Sequence, residues 1–226
     1  MTTKYFKRVS SKRSPAVRKI VGALLFGLVG AAVILPTTAY AQSDTGAGSF
    51  VFGVKIRAGG RFDNVRACVA SPPGVKGGPA ADISFFTEVG VTDDMAVHFD
   101  LPVFRPIMFG LAFKMLQFEP SVTLKFRKVT DGKADVVGGP TLGLSLHYGP
   151  DYKSDPKAET QGPSFFAMGP FVGGYIGADF KRPGETFNFE LGLTPYVIPL
   201  FGVNDPESHR GVVVGALLDG AFKFTP

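Results

Sequence analysis

The sequence predicts an all-β fold, an eight-stranded antiparallel up-and-down transmembrane β-barrel preceded by a cleavable signal peptide. Three observations predict it. Eight stretches alternate apolar and polar side chains at every second position, as strands with one dry and one wetter face do. The connections between them alternate short and long, and an apolar leader with basic residues before it opens the chain. Composition agrees, since 22 Phe, 29 Gly and 18 Pro among 226 residues suit strands and turns better than helices and fit one domain.

Residues 1–41 carry Lys4, Lys7, Arg8, Lys12, Arg13, Arg18 and Lys19 and no acid. Without these seven, the formal charge of +5 becomes −2, from 17 bases and 19 acids. The basic balance therefore belongs to the leader, and a nucleic-acid partner loses its support. An apolar run from Ile20 to Leu35 and the small residues Ala39 and Ala41 before Gln42 predict a signal peptide over 1–41. Sec-type export with cleavage near Ala41 would leave 42–226 as the mature barrel domain. A retained anchor is the alternative, but the run has 16 residues and a spanning helix needs about 20. The residue directly after the cleavage site is Gln42 rather than a cysteine, which argues against a lipoprotein. The lone Cys68 cannot form an internal disulfide and reads as a bystander rather than a nucleophile.

The first strand, "SFVFGVKIRA", sets Phe50, Phe52, Val54, Ile56 and Ala58 against Lys55 and Arg57. The second, "DISFFTEVGV", sets Ile83, Phe85, Val89 and Val91 against Ser84 and Glu88, and the third, "MAVHFDLPV", sets Met95, Val97, Phe99, Leu101 and Val103 against His98 and Asp100. In the fourth, "LQFEPSVTLKFR", Gln117, Glu119, Ser121, Thr123, Lys125 and Arg127 form the polar face. The fifth, "VVGGPTLGLSLHY", places Ser145 and His147 opposite Leu142, Leu144, Leu146 and Tyr148. In the sixth, Phe166, Met168, Val172, Ile176 and Phe180 oppose Gly169, Gly173, Gly177 and Asp179. The seventh, "TFNFELGLTPYVI", opposes Phe187, Phe189, Leu191, Leu193 and Val197 to Asn188, Glu190, Thr194 and Tyr196. The eighth, Gly211 to Phe224, has a wholly apolar face and one of small and charged residues that includes Asp219 and Lys223.

"TDD", "VTDGKAD" and "KRPGE" supply the short turns; Gly59 to Ala81, Phe104 to Met115, Gly149 to Pro163 and Phe201 to Arg210 are the longer connections. An outer-membrane barrel needs this rhythm, whereas a secreted soluble sandwich has no reason to keep it. Aromatics on the apolar face gather near the ends. Phe50, Phe126, Phe180, Phe187 and Phe224 lie toward the short turns, with Tyr148 and Phe166 toward the long loops, as rings at two lipid interfaces would.

From Ser49 to Phe224 the chain thus resembles the small eight-stranded outer-membrane barrels of the OmpA transmembrane-domain, OmpX-like and OmpW-like type. The resemblance rests on pattern rather than on a diagnostic motif. It implies an outer-membrane location, contact with outer-membrane lipid and lipopolysaccharide, and delivery by the outer-membrane assembly machinery, which reads an aromatic-rich final strand. The chain departs from that pattern by running past Phe224 to Thr225 and Pro226. The peptidoglycan-binding domain that follows the barrel in some members is not expected. Pro120, Pro140, Pro170 and Pro195 fall on the apolar face inside proposed strands, where a missing N–H favours bulges or edges.

An eight-stranded barrel is wide enough inside only for side chains. The expected lumen network is Lys55, Arg57, Glu88, His98, Asp100, Glu119, Lys125, Arg127, His147, Asp179, Glu190, Asp219 and Lys223. Its five Lys and Arg and six Asp and Glu should pair, which favours a plugged interior over a narrow channel for solutes or ions. A lipid A-modifying enzyme is the catalytic alternative. Its weak candidates are Ser145 and His147, two apart on one face, and an acyl-chain site would require an apolar lumen where this one reads as polar. No metal or other cofactor is expected, because His98, His147 and His209 lack ligand spacing. The longer loops, including the stretch with Tyr152, are the surface left for an unidentified ligand. The role expected is structural or surface-interacting, without catalysis.

Overall fold

The computed structural model describes residues 46–63, 77–113, 116–130, 133–150, 164–180, 186–203 and 211–226. The expected leader and cleavage site, Cys68, Tyr152 and His209 lie outside them. Among the described residues nine strands follow in chain order: β1 (Phe50–Asp63), β2 (Gly78–Thr92), β3 (Met95–Pro102), β4 (Leu116–Phe118), β5 (Ser121–Lys128), β6 (Ala134–Pro150), β7 (Ser164–Phe180), β8 (Phe187–Gly202) and β9 (Gly211–Phe224). All neighbours are antiparallel. The last strand returns to the first, from Phe52 opposite Phe224 to Asp63 opposite Val213, and β6 pairs with β7, so the sheet closes on itself.

β4 and β5 both pair with β6 and are two halves of one stave, so the barrel has eight staves. The expected fourth strand is therefore interrupted at Glu119 and Pro120. Pro120 is buried rather than on the outer face, and its carbonyl accepts the Leu144 N–H at 3.1 Å. The sandwich alternative is contradicted, because one sheet closes on itself instead of two packing face to face.

Pro140, Pro170 and Pro195 point outward and are exposed. None shifts the register. Thr123 faces Thr141 and Phe126 faces Gly138 on the two sides of Pro140; Met168 faces Phe201 and Val172 faces Val197 on the two sides of Pro170. Pairing lapses on one flank of each proline and persists on the other, where Pro140 faces Gly174, Pro170 faces Leu144 and Pro195 faces Ala216. In an antiparallel ladder a residue directs its N–H and C=O to one neighbour, so a proline removes one bond and leaves the other flank intact. No bulge is needed.

Two boundaries differ from expectation. β1 runs to Asp63 and β2 begins at Gly78, so the connection expected from Gly59 to Ala81 is shorter. The connection expected from Phe104 to Met115 contains a helix, α1 (Phe104–Phe113). Strand-like alternation stops at Val103, and the Asp82 carboxylate accepts the Arg105 backbone N–H at 3.0 Å, capping the first turn. The cap comes from a different strand, which local pattern does not reveal.

Candidate functional site

Alternation sends every second side chain inward, and the buried polar side chains form a connected interior. At the short-turn half, Lys125 Nζ donates to Glu88 at 2.9 Å and to Glu190 at 2.7 Å. Lys223 Nζ donates to Asp179 at 2.9 Å and Glu190 at 2.8 Å, while Arg127 reaches Asp179 at 3.0 Å. Tyr175 donates its hydroxyl to Glu190, so this fully buried carboxylate takes three donors. Lys55 donates to Asp100 at 2.7 Å and lies 2.8 Å from His98 Nε2; His98 Nδ1 lies 3.1 Å from Glu88. Arg57 links Asp100 to Asp219, whose other oxygen accepts the Thr194 hydroxyl. Opposite charges placed together in this way offset a desolvation cost that each would bear alone.

Aromatic rings fill the space between these ions. Phe86 stacks on His98 at a centroid distance of 4.7 Å, and the Tyr175 ring has Lys125 Nζ at 5.1 Å and Lys55 Nζ at 5.6 Å. Tyr175 fits because Gly177 and Gly192 leave it room; a Cβ at either would collide with its ring.

Toward the long loops a second group surrounds Glu119. Arg105 of α1 reaches down to it at 2.7 Å, Arg61 lies 3.6 Å away, and Ser145 Oγ donates to it at 3.2 Å. Ser145 also lies 2.8 Å from His147 Nε2, and the Gln117 amide nitrogen lies 3.2 Å from His147 Nδ1. The pair singled out in the sequence is thus in contact. Its polarity is wrong for a nucleophile and base, however. A catalytic histidine needs its orienting carboxylate on the ring nitrogen away from the serine. Here Glu119 Oε1 lies 3.4 Å from Nε2, the same atom that meets Ser145, and Nδ1 faces an amide donor. Ser145 Oγ and Glu119 thus meet at the same ring nitrogen, and among the described residues no carboxylate stands on the far side of the ring to orient it as a base. Both residues are also buried, Ser145 fully.

Every residue expected in the lumen is directed inward. The sequence reading passed over Arg61, Asp82, Arg105 and Asp135, which are buried too. Arg61 and Asp82 continue the alternation of β1 and β2 and could have been found by extending those strands; Arg105 sits on a helix and could not. A larger correction concerns polarity. Ala80, Phe171, Tyr196, Ile198, Leu200, Val213 and Leu217 form a buried apolar cluster inside the barrel, so the lumen is not polar throughout. Phe171 and Tyr196 stack at 4.8 Å, and Gly215 leaves room for the Tyr196 ring.

The outward aromatics cluster as well. Phe52 and Phe224 lie 5.8 Å apart across the closing seam, Phe187 and Phe224 5.3 Å, Phe180 and Phe189 6.2 Å. Phe50 contacts Phe52, Phe126 is exposed, and Tyr148 meets Phe166 edge-on at 6.4 Å near the other end. Among the described residues no group of His, Cys, Asp and Glu is arranged to hold a metal ion.

No family model matches the chain, and no curated protein matches it. Among solved structures it is similar to neisserial surface protein A (NspA), with 10% identity over 80% of this chain and 98% of that one and a TM-score of 0.49. It is also similar to the N-terminal beta-barrel domain of Pseudomonas aeruginosa OprF, with 14% identity, 76% and 97% coverage and a TM-score of 0.36. A third is the outer membrane protein OprG from Pseudomonas aeruginosa, with 14% identity, 79% and 96% coverage and a TM-score of 0.31.

Proposed function

We propose that the chain is an integral outer-membrane barrel with a structural or surface-interacting role, a plugged lumen and functional loops on its long-loop side. One observation carries this reading: the protein is built inside out. Its ions are buried, while large apolar side chains such as Phe85, Leu142, Ile176 and Leu218 are exposed on the outer wall, the last at 66%. Soluble monomers rarely expose contiguous apolar patches beyond a few hundred Å², whereas a lipid-facing wall needs one. Closure supports the same conclusion, because a spanning sheet must pair every backbone polar group internally. The 17 residues each of β6 and β7 exceed the roughly 9–11 that cross a bilayer, which leaves strand projecting beyond it.

The interior ion pairs and the apolar cluster favour a plug over a conduit. Export through the leader, cleavage near Ala41 and delivery by the assembly machinery belong to the same proposal. The test is a gel of detergent-refolded protein with and without boiling, together with fractionation of the cells. A heat-dependent mobility shift and recovery with the outer membrane are expected; a protein that stays soluble without detergent and runs at one position overturns the reading. Discrete conductance steps in a planar bilayer would replace the plug with a channel, and loss of a lipid A modification on deletion would restore the enzyme.

A further inference from the structure

The helix α1 presents an apolar stripe that the barrel does not cover. Phe104, Ile107, Met108 and Leu111 follow the spacing i, i+3, i+4, i+7 and so share one face. Their exposures are 43%, 59%, 44% and 83%. An apolar helical face normally packs against its own protein. This helix cannot roll over to bury it, because its first turn is pinned: Arg105, on the flank of the stripe, reaches into the barrel to Glu119, and Asp82 caps the helix start. The Val103 N–H also donates to the Ile83 carbonyl at 2.9 Å, fixing the point where strand becomes helix.

We infer that α1 lies in the acyl-chain region of the outer leaflet, as an interfacial helix at the rim of the barrel. The inference rests on the outer-membrane reading above and adds to it a specific lipid-contacting element. What identifies lipid as the occupant is continuity. Phe99 and Leu101 are exposed on the outer wall immediately before the helix, and Phe85 lies across from Leu101 on β2. From Leu101 to Phe113 the only charged residue is Arg105, and it is buried within the barrel. The apolar outer wall therefore runs into the helix with no exposed charge to mark a water boundary. Interfacial helices bury such a face about 5–10 Å into the headgroup and acyl boundary.

The chain contains no Trp, so one introduced Trp reports alone. Leu111→Trp and Ile107→Trp on the helix, and Leu142→Trp on the outer wall, would be placed in lipid nanodiscs holding one chain each. Emission would be quenched with lipids brominated on the acyl chains and, separately, with aqueous acrylamide. Brominated lipid should quench both helix reporters by at least half as much as Leu142→Trp, with acrylamide weak on all three. If Leu142→Trp is quenched by lipid while both helix reporters respond only to acrylamide, the helix is in water; the inference falls and the barrel stands. If no reporter responds to lipid, the membrane reading itself falls. Helix reporters shielded from both quenchers, with lipid quenching of Leu142→Trp retained, would place protein on the stripe and overturn lipid as its occupant. Two helix positions are used so that misfolding of one variant leaves the other readable, and each variant must first show the heat-dependent gel shift.

Discussion

The loop-side half of the lumen is filled in two opposite ways. Along β1, β2 and β4 to β6, with Arg105 of α1, it holds Arg61, Asp82, Gln117, Glu119, Ser145 and His147, joined by hydrogen bonds and ion pairs. Along β7 to β9 it holds Phe171, Tyr196, Ile198, Leu200, Val213 and Leu217, which fill space by shape. The polar side depends on specific partners, and losing one strands the other. The apolar side depends on volume, and losing part of it leaves a cavity. The short-turn half extends the polar scheme around Glu190, where three donors converge on one carboxylate.

The largest expected effect comes from breaking that convergence. Glu190→Gln leaves Lys125 and Lys223 with one less buried counter-charge and should cost roughly 3–5 kcal/mol, read as a lower urea midpoint in detergent at unchanged slope. On the apolar side, Ile198→Ala removes fully buried methyl groups and should cost about 3 kcal/mol in the same assay. If it proves neutral, that side of the lumen is loosely packed and the contrast is lost.

A double-mutant cycle sharpens the comparison further. Lys223→Met with Glu190→Gln should be non-additive by at least about 1 kcal/mol, because the two side chains share a 2.8 Å bond. Glu190→Gln with Ile198→Ala should add to within roughly 0.5 kcal/mol, since eight residues along a strand separate the sites by about 26 Å. The smallest expected effect is that of salt. Raising sodium chloride to 1 M should move the unfolding midpoint by less than about 0.5 kcal/mol, because buried pairs are poorly screened. A steep fall would show that ions and water reach the network.

The Ser145 and His147 pair shows the limit of local reading. Their adjacency followed from two-residue spacing on one face, and they do touch. Their chemical sense depended on Glu119, 26 residues from Ser145, and on Gln117, 30 residues from His147. No spacing rule supplies those partners.

What the amino-acid sequence determined by itself was the staves, their order and the inward or outward sense of their side chains, Pro120 at the break in the fourth stave excepted. The reason is that strand alternation is a property of neighbouring residues, and turn lengths constrain which strands can pair. Even prolines that break ladder pairs left that sense unchanged, because each removes a bond on one flank alone. Only the tertiary structure decided who pairs with whom inside, where Lys125 meets Glu190 across 65 residues and Lys223 meets Asp179 across 44. It also decided that Phe104–Phe113 is helical and sends Arg105 into the barrel, and that one side of the lumen is apolar. These outcomes follow from closure, which brings remote strands within hydrogen-bonding distance and sets how much space each inward side chain must fill.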